Sequence, residues 1–187
     1  MVTSSPPTTH ADAAAADNGE VRPAASVVIE VLAFRLDGNG WLACRDARVR
    51  WQPPAEPDEL ALRTAGITRD TPEWTVSHST SWRYDPAGVL VLTYALAPDP
   101  DPQQPAVALP RAGVLCSGDP LHPRPEALHA HHVAAHAVRH LAHLAVSDPT
   151  VRDAASHRPE LWRVIADAGA AMAVGSHTEI HARRHEA

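Results

Sequence analysis

Lysine is absent from this chain of 187 residues, and its 16 Lys and Arg residues are therefore all arginines. A protein without lysine has no Schiff-base lysine, no pyridoxal-phosphate anchor and no P-loop lysine. The formal net charge at pH 7 is −6, whereas proteins that hold nucleic acid by its phosphates carry a basic face. The composition thus excludes these lysine chemistries and argues against a nucleic-acid partner.

Cysteine and long apolar runs are also scarce. Cys44 and Cys116 are the two cysteines, and they are too few and too widely spaced for a disulfide framework or a zinc ribbon. We therefore expect both cysteines to be reduced thiols in a cytoplasmic protein. No apolar run reaches the ~18 residues of a membrane span, and the first ten residues do not have the pattern of a secretory signal. We therefore expect a cytoplasmic protein without a membrane partner.

Composition along the chain divides it into three regions. Residues 1–25 have almost no large apolar side chains, and we expect a disordered tail. Residues 171–187 are polar, and we expect a second loose tail. Between them we predict a single α+β domain over 26–170, with strands mainly in 26–96, a proline-rich loop at 97–110 and helices mainly in 111–170.

Apolar periodicity predicts an antiparallel sheet of four to five strands. The run from Val27 to Phe34 is almost continuously apolar, as in a central strand, and Gly113–Cys116 suits a short edge strand. A hairpin is predicted around the turn Asp85–Gly88. In its first strand, strict alternation places five side chains on one face: Val76, His78, Thr80, Trp82 and Tyr84. The tryptophans are expected to serve mainly as core residues.

Two to three C-terminal helices are predicted to pack against the sheet. The first runs from about Glu126 to Val146 and has an apolar face. A second begins after Asp148, a good N-cap residue, with Pro149 in the first helical position. A third is expected from Pro159 to Ala168, with Gly169 closing it. A short helix ending at Gly66 precedes the hairpin.

Six of the chain's 13 histidines lie between His129 and His143. Five of them fall on one face of the predicted helix, at spacings of three and four residues. Imidazoles one turn apart can share Zn²⁺ or a similar metal, so His132, His136 and His140 are the candidate metal ligands and Zn²⁺ is the candidate cofactor. A third ligand would come from His122, Cys116 or Asp119 if only two helical histidines bind. A pH-responsive surface and an ordinary polar face are the alternatives.

A second group of polar residues lies at His78, Thr80 and Arg83, the candidate catalytic residues. His78 and Thr80 resemble one half of the HxTx signature of the 2H phosphoesterase family, which uses two such motifs. That resemblance implies an acid/base role for His78 and a phosphate contact for Thr80. No other histidine in the chain is followed two residues later by Ser or Thr. The alternative interpretation is a half-buried strand face with local hydrogen bonds.

The stretch HSTSWR…VLTY, followed by the helical segment Arg139–Ala142 (RHLA), resembles a group of uncharacterised actinobacterial proteins with the same hairpin and helix. The resemblance implies a fold and no activity. We therefore expect a non-enzymatic regulatory or interaction module that uses its helical half to contact a protein partner. The alternative is a phosphoester- or metal-dependent hydrolase centred on His78 and Thr80, next to the histidine-rich helix.

Overall fold

The computed structural model describes residues 26–110, residue 121 and residues 127–183. Its elements in chain order are β1 (Val27–Leu36), β2 (Leu42–Arg50), α1 (Pro57–Ala65), β3 (Val76–Tyr84), β4 (Leu90–Ala97), β5 (Val107–Ala108), α2 (Ala130–Ser147), α3 (Pro149–Ser156) and α4 (Pro159–Arg183). The predicted α+β class, a sheet followed by C-terminal helices, is confirmed. The strand expected at Gly113–Cys116 lies outside the described residues.

The five strands lie side by side in the order β3-β4-β1-β2-β5. Neighbouring strands are antiparallel except for β1 and β4, which are parallel. This pair departs from the purely antiparallel sheet expected from the sequence. Parallel neighbours need a long connection, and here β2, α1 and β3 lie between the two strands and return the chain to the same end of the sheet.

Both faces of the sheet are covered, which explains the nearly continuous apolar run of β1. Ile29, Val31 and Ala33 pack on one face with residues of α1. Leu32 and Phe34 alternate with them and pack on the other face with residues of α2, α3 and α4. A strand buried on both sides needs apolar residues at successive positions. The face covered by α2–α4 is called the helical face below, and the opposite one the α1 face.

Helix α3, the second of the C-terminal helices, begins at the predicted residues. The Asp148 carboxylate accepts hydrogen bonds from the backbone N–H groups of Thr150 and Val151, and Pro149 is the first residue of α3. The side chain thereby satisfies donors that a helix start leaves without partners.

Replacing Asp148 with alanine is expected to lower the free energy of unfolding by about 1 kcal/mol, because the N-cap acceptor is lost. Urea unfolding measures the change. Asp153→Ala is the matched control, since Asp153 is exposed within α3 and its carboxylate caps no helix end. Equal losses in the two variants would contradict a capping role.

Helix α4 does not end where the sequence predicted. It continues through Gly169 to Arg183, so the expected end at Gly169 is wrong. A Cβ added to Gly169 would lie 2.7 Å from the Cβ of Ala142 on α2. The glycine therefore permits close contact between the two helices rather than ending one of them. In the described part of the chain, no helix is both long and apolar enough to cross a membrane.

Candidate functional site

Strand β3 contains a β-bulge in its middle. Ser79 lies opposite Tyr94 of β4, and Ser81 lies opposite the next residue back, Thr93, so Thr80 has no partner of its own. Side chains alternate between the two faces of a strand, and one extra residue moves every later side chain to the opposite face. The strict alternation predicted for β3 is therefore wrong.

The bulge separates the residues that the sequence placed together. His78, before it, lies on the helical face, and so does Arg83, after it, which lies opposite the buried Val91. Trp82 and Tyr84 lie on the α1 face instead. One insertion thus brings His78 and Arg83 to one side and sends the two aromatic side chains to the other.

His78 meets the histidine-rich helix directly. Its imidazole stacks on that of His140 of α2, with ring centroids 4.9 Å apart and an angle of 22° between the ring planes. Both residues are half-buried at the junction of sheet and helix. The sequence predicted candidate sites on each element, and the structure brings one residue of each into contact.

His136 lies one helical turn before His140, and the centroids of their rings are 6.4 Å apart. Burial lowers the pKa of His140 below its ordinary value of 6.5, and repulsion from His78, His136 and His143 lowers it further. The neutral imidazole, which has a free nitrogen lone pair, is thereby favoured at His140.

The third predicted metal ligand, His132, lies at the other end of this helix. Its Nδ1 accepts a hydrogen bond from the backbone N–H of His129, and its own backbone N–H donates to the carbonyl oxygen of His129. This reciprocal pair caps the start of α2. Among the described residues, no three His, Cys, Asp or Glu side chains form a ready-made metal-binding group.

Thr80, the predicted phosphate contact, makes a hydrogen bond within the sheet. Its Oγ1 donates to the carbonyl oxygen of Thr93 over 3.3 Å. His78 thus stacks on a histidine of α2, whereas Thr80 bonds across to β4.

Arg83, the third predicted catalytic residue, belongs to a buried ionic network centred on Glu30 of β1. Its guanidinium donates to Glu30 Oε1 and to Thr93 Oγ1, each over 2.8 Å. Thr93 Oγ1 donates in turn to Glu30 Oε2 over 2.8 Å, and Arg48 of β2 donates to Oε1. Glu30 is 2% exposed, so its carboxylate links four strands, β1 to β4, inside the protein.

Opposing effects set the pKa of Glu30. Burial alone would raise it, but the hydrogen bond and charge of Arg83, the hydrogen bond of Thr93 and the charge of Arg48 outweigh burial and hold the pKa below the ordinary 4.5. Glu30 is therefore ionised at neutral pH. Glu30 belongs to none of the predicted sites, although an acid inside an apolar central strand is the kind of exception that needs a buried partner.

Two large aromatic side chains are exposed beside an open strand edge. Trp82 is 68% exposed and Tyr84 is 47% exposed, and their rings pack edge to face with centroids 6.3 Å apart. They belong to β3, which is the outermost strand of the sheet in the part of the chain that the structure describes. The expectation that tryptophans serve mainly in the core fails at Trp41, which is also exposed, and at Trp82, which the bulge directs to the α1 face and away from α2–α4.

A second ionic network fixes the loop that follows β4. The buried Asp99 carboxylate accepts hydrogen bonds from Arg35 and Arg45, and Arg45 also donates to the carbonyl oxygen of Ala65 at the end of α1. A cavity of about 440 Å³ adjoins Arg45; its lining includes Asp46, Thr64, Gly66, Asp101 and Gln104. The arginine lining this cavity is already neutralised by Asp99, so we assign the network a structural role.

Cys44 is a buried free thiol on the helical face, and burial with nearby carboxylates raises its pKa to about 12. A thiol with so high a pKa is a poor nucleophile. Cys116, His122 and Asp119 lie outside the described residues.

Comparison of the chain with protein-family models, with curated proteins and with solved structures gives no match. Two features of β3 therefore bear on function: the exposed aromatic edge on one face and the contact between His78 and His140 on the other.

Proposed function

We propose that the protein is a cytoplasmic, non-enzymatic interaction module whose β3 edge binds an extended segment of a partner protein. The observation that carries the proposal is that β3 is the outermost strand among the described residues and exposes Trp82 and Tyr84. A buried free thiol, Cys44, fits a reducing compartment.

An outer strand offers unpaired backbone N–H and C=O groups along one side, and an extended peptide can add to them as a further strand. The main-chain hydrogen bonds supply affinity, and side chains beside the edge supply selectivity. Tryptophan and tyrosine are the residue types most enriched where binding energy concentrates. A bound segment would therefore carry apolar side chains that pack on Trp82 and Tyr84.

The bulge limits where such a segment can pair. It interrupts the regular ladder between Ser79 and Ser81, and bulges are one of the devices that protect strand edges from pairing along their whole length. The half from Ser81 to Tyr84 follows the bulge and carries both aromatic residues. We expect the partner strand to dock on this half.

A peptide-display library tests the proposal directly. We expect selection on the wild-type protein to enrich peptides with alternating apolar residues, and the Trp82→Ala variant to bind those peptides at least about tenfold more weakly, a loss of about 1.4 kcal/mol. Fluorescence anisotropy of labelled synthetic peptides measures the affinities. Methylating alternate backbone nitrogens of a peptide should abolish binding at the positions that pair with β3.

Trp41→Ala is the matched control, because Trp41 is 58% exposed but lies in the turn between β1 and β2. Its binding should equal that of the wild type. Enrichment of no peptide, or equal losses in the Trp41 and Trp82 variants, would contradict docking at the β3 edge.

The hydrolase alternative keeps one specific observation in its favour, the contact between His78 and His140. Thr80 and Arg83 are engaged in hydrogen bonds within the sheet. A reaction at this place would therefore depend on His78 and the helix, and a metal ion held there is its first requirement.

A further inference from the structure

The contact between His78 and His140 joins two separate elements of the fold. One imidazole comes from the edge strand and the other from the second half of α2, and both are half-buried. Within the described part of the chain, no hydrogen bond engages a ring nitrogen of either residue. No group in that part of the chain therefore competes for these nitrogen atoms with a ligand that binds imidazole.

The spacing of the rings matches that of two metal ligands. A zinc–nitrogen bond is about 2.0–2.1 Å long, which places the centroids of two imidazoles in a tetrahedral site about 5 Å apart. His78 and His140 have this spacing already, at 4.9 Å. Coordination then requires rotation of the rings so that one nitrogen of each faces the ion.

A third ligand is within reach on the same helix. His136 is exposed, and its ring centroid lies 6.4 Å from that of His140. An exposed side chain changes rotamer readily, and bringing this ring to ligand spacing takes a shift of about 1–2 Å. Histidines one helical turn apart are a common way for a helix to supply two metal ligands.

We propose that His78, His140 and His136 bind one divalent transition-metal ion between β3 and α2. Imidazole nitrogen favours Zn²⁺, Ni²⁺ and Cu²⁺ over hard ions such as Mg²⁺ and Ca²⁺. The bound ion links the edge strand to the helix. This site goes beyond the peptide-binding edge, which lies on the opposite face of β3 and uses different residues.

A competing group of histidines lies at the start of α2. The rings of His129, His131 and His132 have centroids 4.1–5.4 Å apart. The His132 side chain already accepts a hydrogen bond from the backbone N–H of His129 at the start of the helix. The positive end of the helix dipole also disfavours a cation there. These two effects favour the site at His140.

Isothermal titration calorimetry with ZnCl₂ tests the site on untagged full-length protein that was purified without a metal resin and treated with a chelator. We expect one Zn²⁺ per chain. His78→Ala and His140→Ala should each weaken binding by at least about tenfold, since even loss of a residue that only orients a ligand has an effect of about 10- to 100-fold. His136→Ala should weaken it as well. Tetrahedral Co²⁺ absorption in the visible spectrum should appear in the wild type and vanish in the His78 variant.

The His129→Ala/His131→Ala double variant is the matched control, since it removes two histidines of the same helix, and its affinity should equal that of the wild type. Circular dichroism establishes that each variant is folded. His78→Ala keeps the test decisive even if a change in α2 prevents folding. Absence of Zn²⁺ binding in the wild type, or loss of binding in the double variant with retention in the His78 variant, would overturn the proposal.

Discussion

Glu30→Gln is expected to lower the free energy of unfolding by about 3 kcal/mol, the low end of what breaking a buried ion pair costs. Glutamine keeps the shape of the side chain but removes the charge that balances Arg83, whose side chain is 15% exposed. The Arg48 side chain is half exposed, and its guanidinium can rotate into the solvent when the carboxylate is removed. We therefore expect a destabilisation at the low end of this range. Urea unfolding at pH 7 measures it.

The same residue predicts how stability depends on pH. The pKa of Glu30 is held below 4.5 in the folded protein, so the unfolded chain takes up the proton first as the pH falls. The stabilisation from this carboxylate is complete above the unfolded pKa and is lost as the pH falls through the folded pKa. The difference in stability between wild type and Glu30→Gln should therefore shrink on acidification below about pH 4.5.

An exposed pair provides the control for this prediction. Arg163 and Asp167 form an i,i+4 pair on α4 in which each side chain is 69% exposed. Asp167→Asn should change stability by less than about 1 kcal/mol, as is usual for surface pairs. If Glu30→Gln had an equally small effect, or if the difference from wild type did not depend on pH, the carboxylate would not be the centre of a stabilising network.

Local signals in the sequence were sufficient for much of the fold. Gly66 was expected to end a short helix, and it adopts a left-handed φ of 88° directly after α1. Asp148 and Pro149 were expected to begin a helix, and they begin α3. In each case, the residues that determine the structure are neighbours in sequence, so the local sequence is enough to predict it.

The features that the sequence did not predict all depend on residues distant from each other. The bulge at Thr80 is defined by its pairing with β4, and it decides that Trp82 and Arg83 exchange faces. The buried charge of Glu30 is balanced by arginines on two other strands. The apolar periodicity of a single segment cannot predict contacts between distant residues.

The candidate site shows the same division. The histidine pattern on α2 was visible, and so was the polar group around His78, and the hydrolase alternative placed the two next to each other without specifying which histidine would meet His78. Because the sheet order places β3 at the edge and α2 packs over it, His140 and His78 meet. His132 shares the sequence pattern of His140 but caps the helix start instead. Position along the helix, rather than the spacing of histidines, therefore selects which of them can act with β3.

Gly169→Val is expected to lower the free energy of unfolding by about 3 kcal/mol, because the added side chain has no space between two helices. A Cβ at this position would already lie 2.7 Å from the Cβ of Ala142, 3.5 Å from the Cα of Arg139 and 3.7 Å from the carbonyl oxygen of Val138. Helices α2 and α4 would have to separate and expose part of the core that they share. Thermal and urea unfolding of the variant measure the loss.

Ala170→Val controls for the β-branched side chain itself, since Ala170 is the next residue of α4 and is exposed. It should lower stability by no more than about 0.7 kcal/mol, the range of helix propensity for ordinary residues. A second test restores the space from the opposite helix: Ala142→Gly should recover stability in a Gly169→Ala background and reduce it in the wild type. Such a coupling between the two positions would establish that Gly169 is a contact glycine. Equal effects of the valine substitutions at 169 and 170 would instead mean that the two helices are not closely packed at this point.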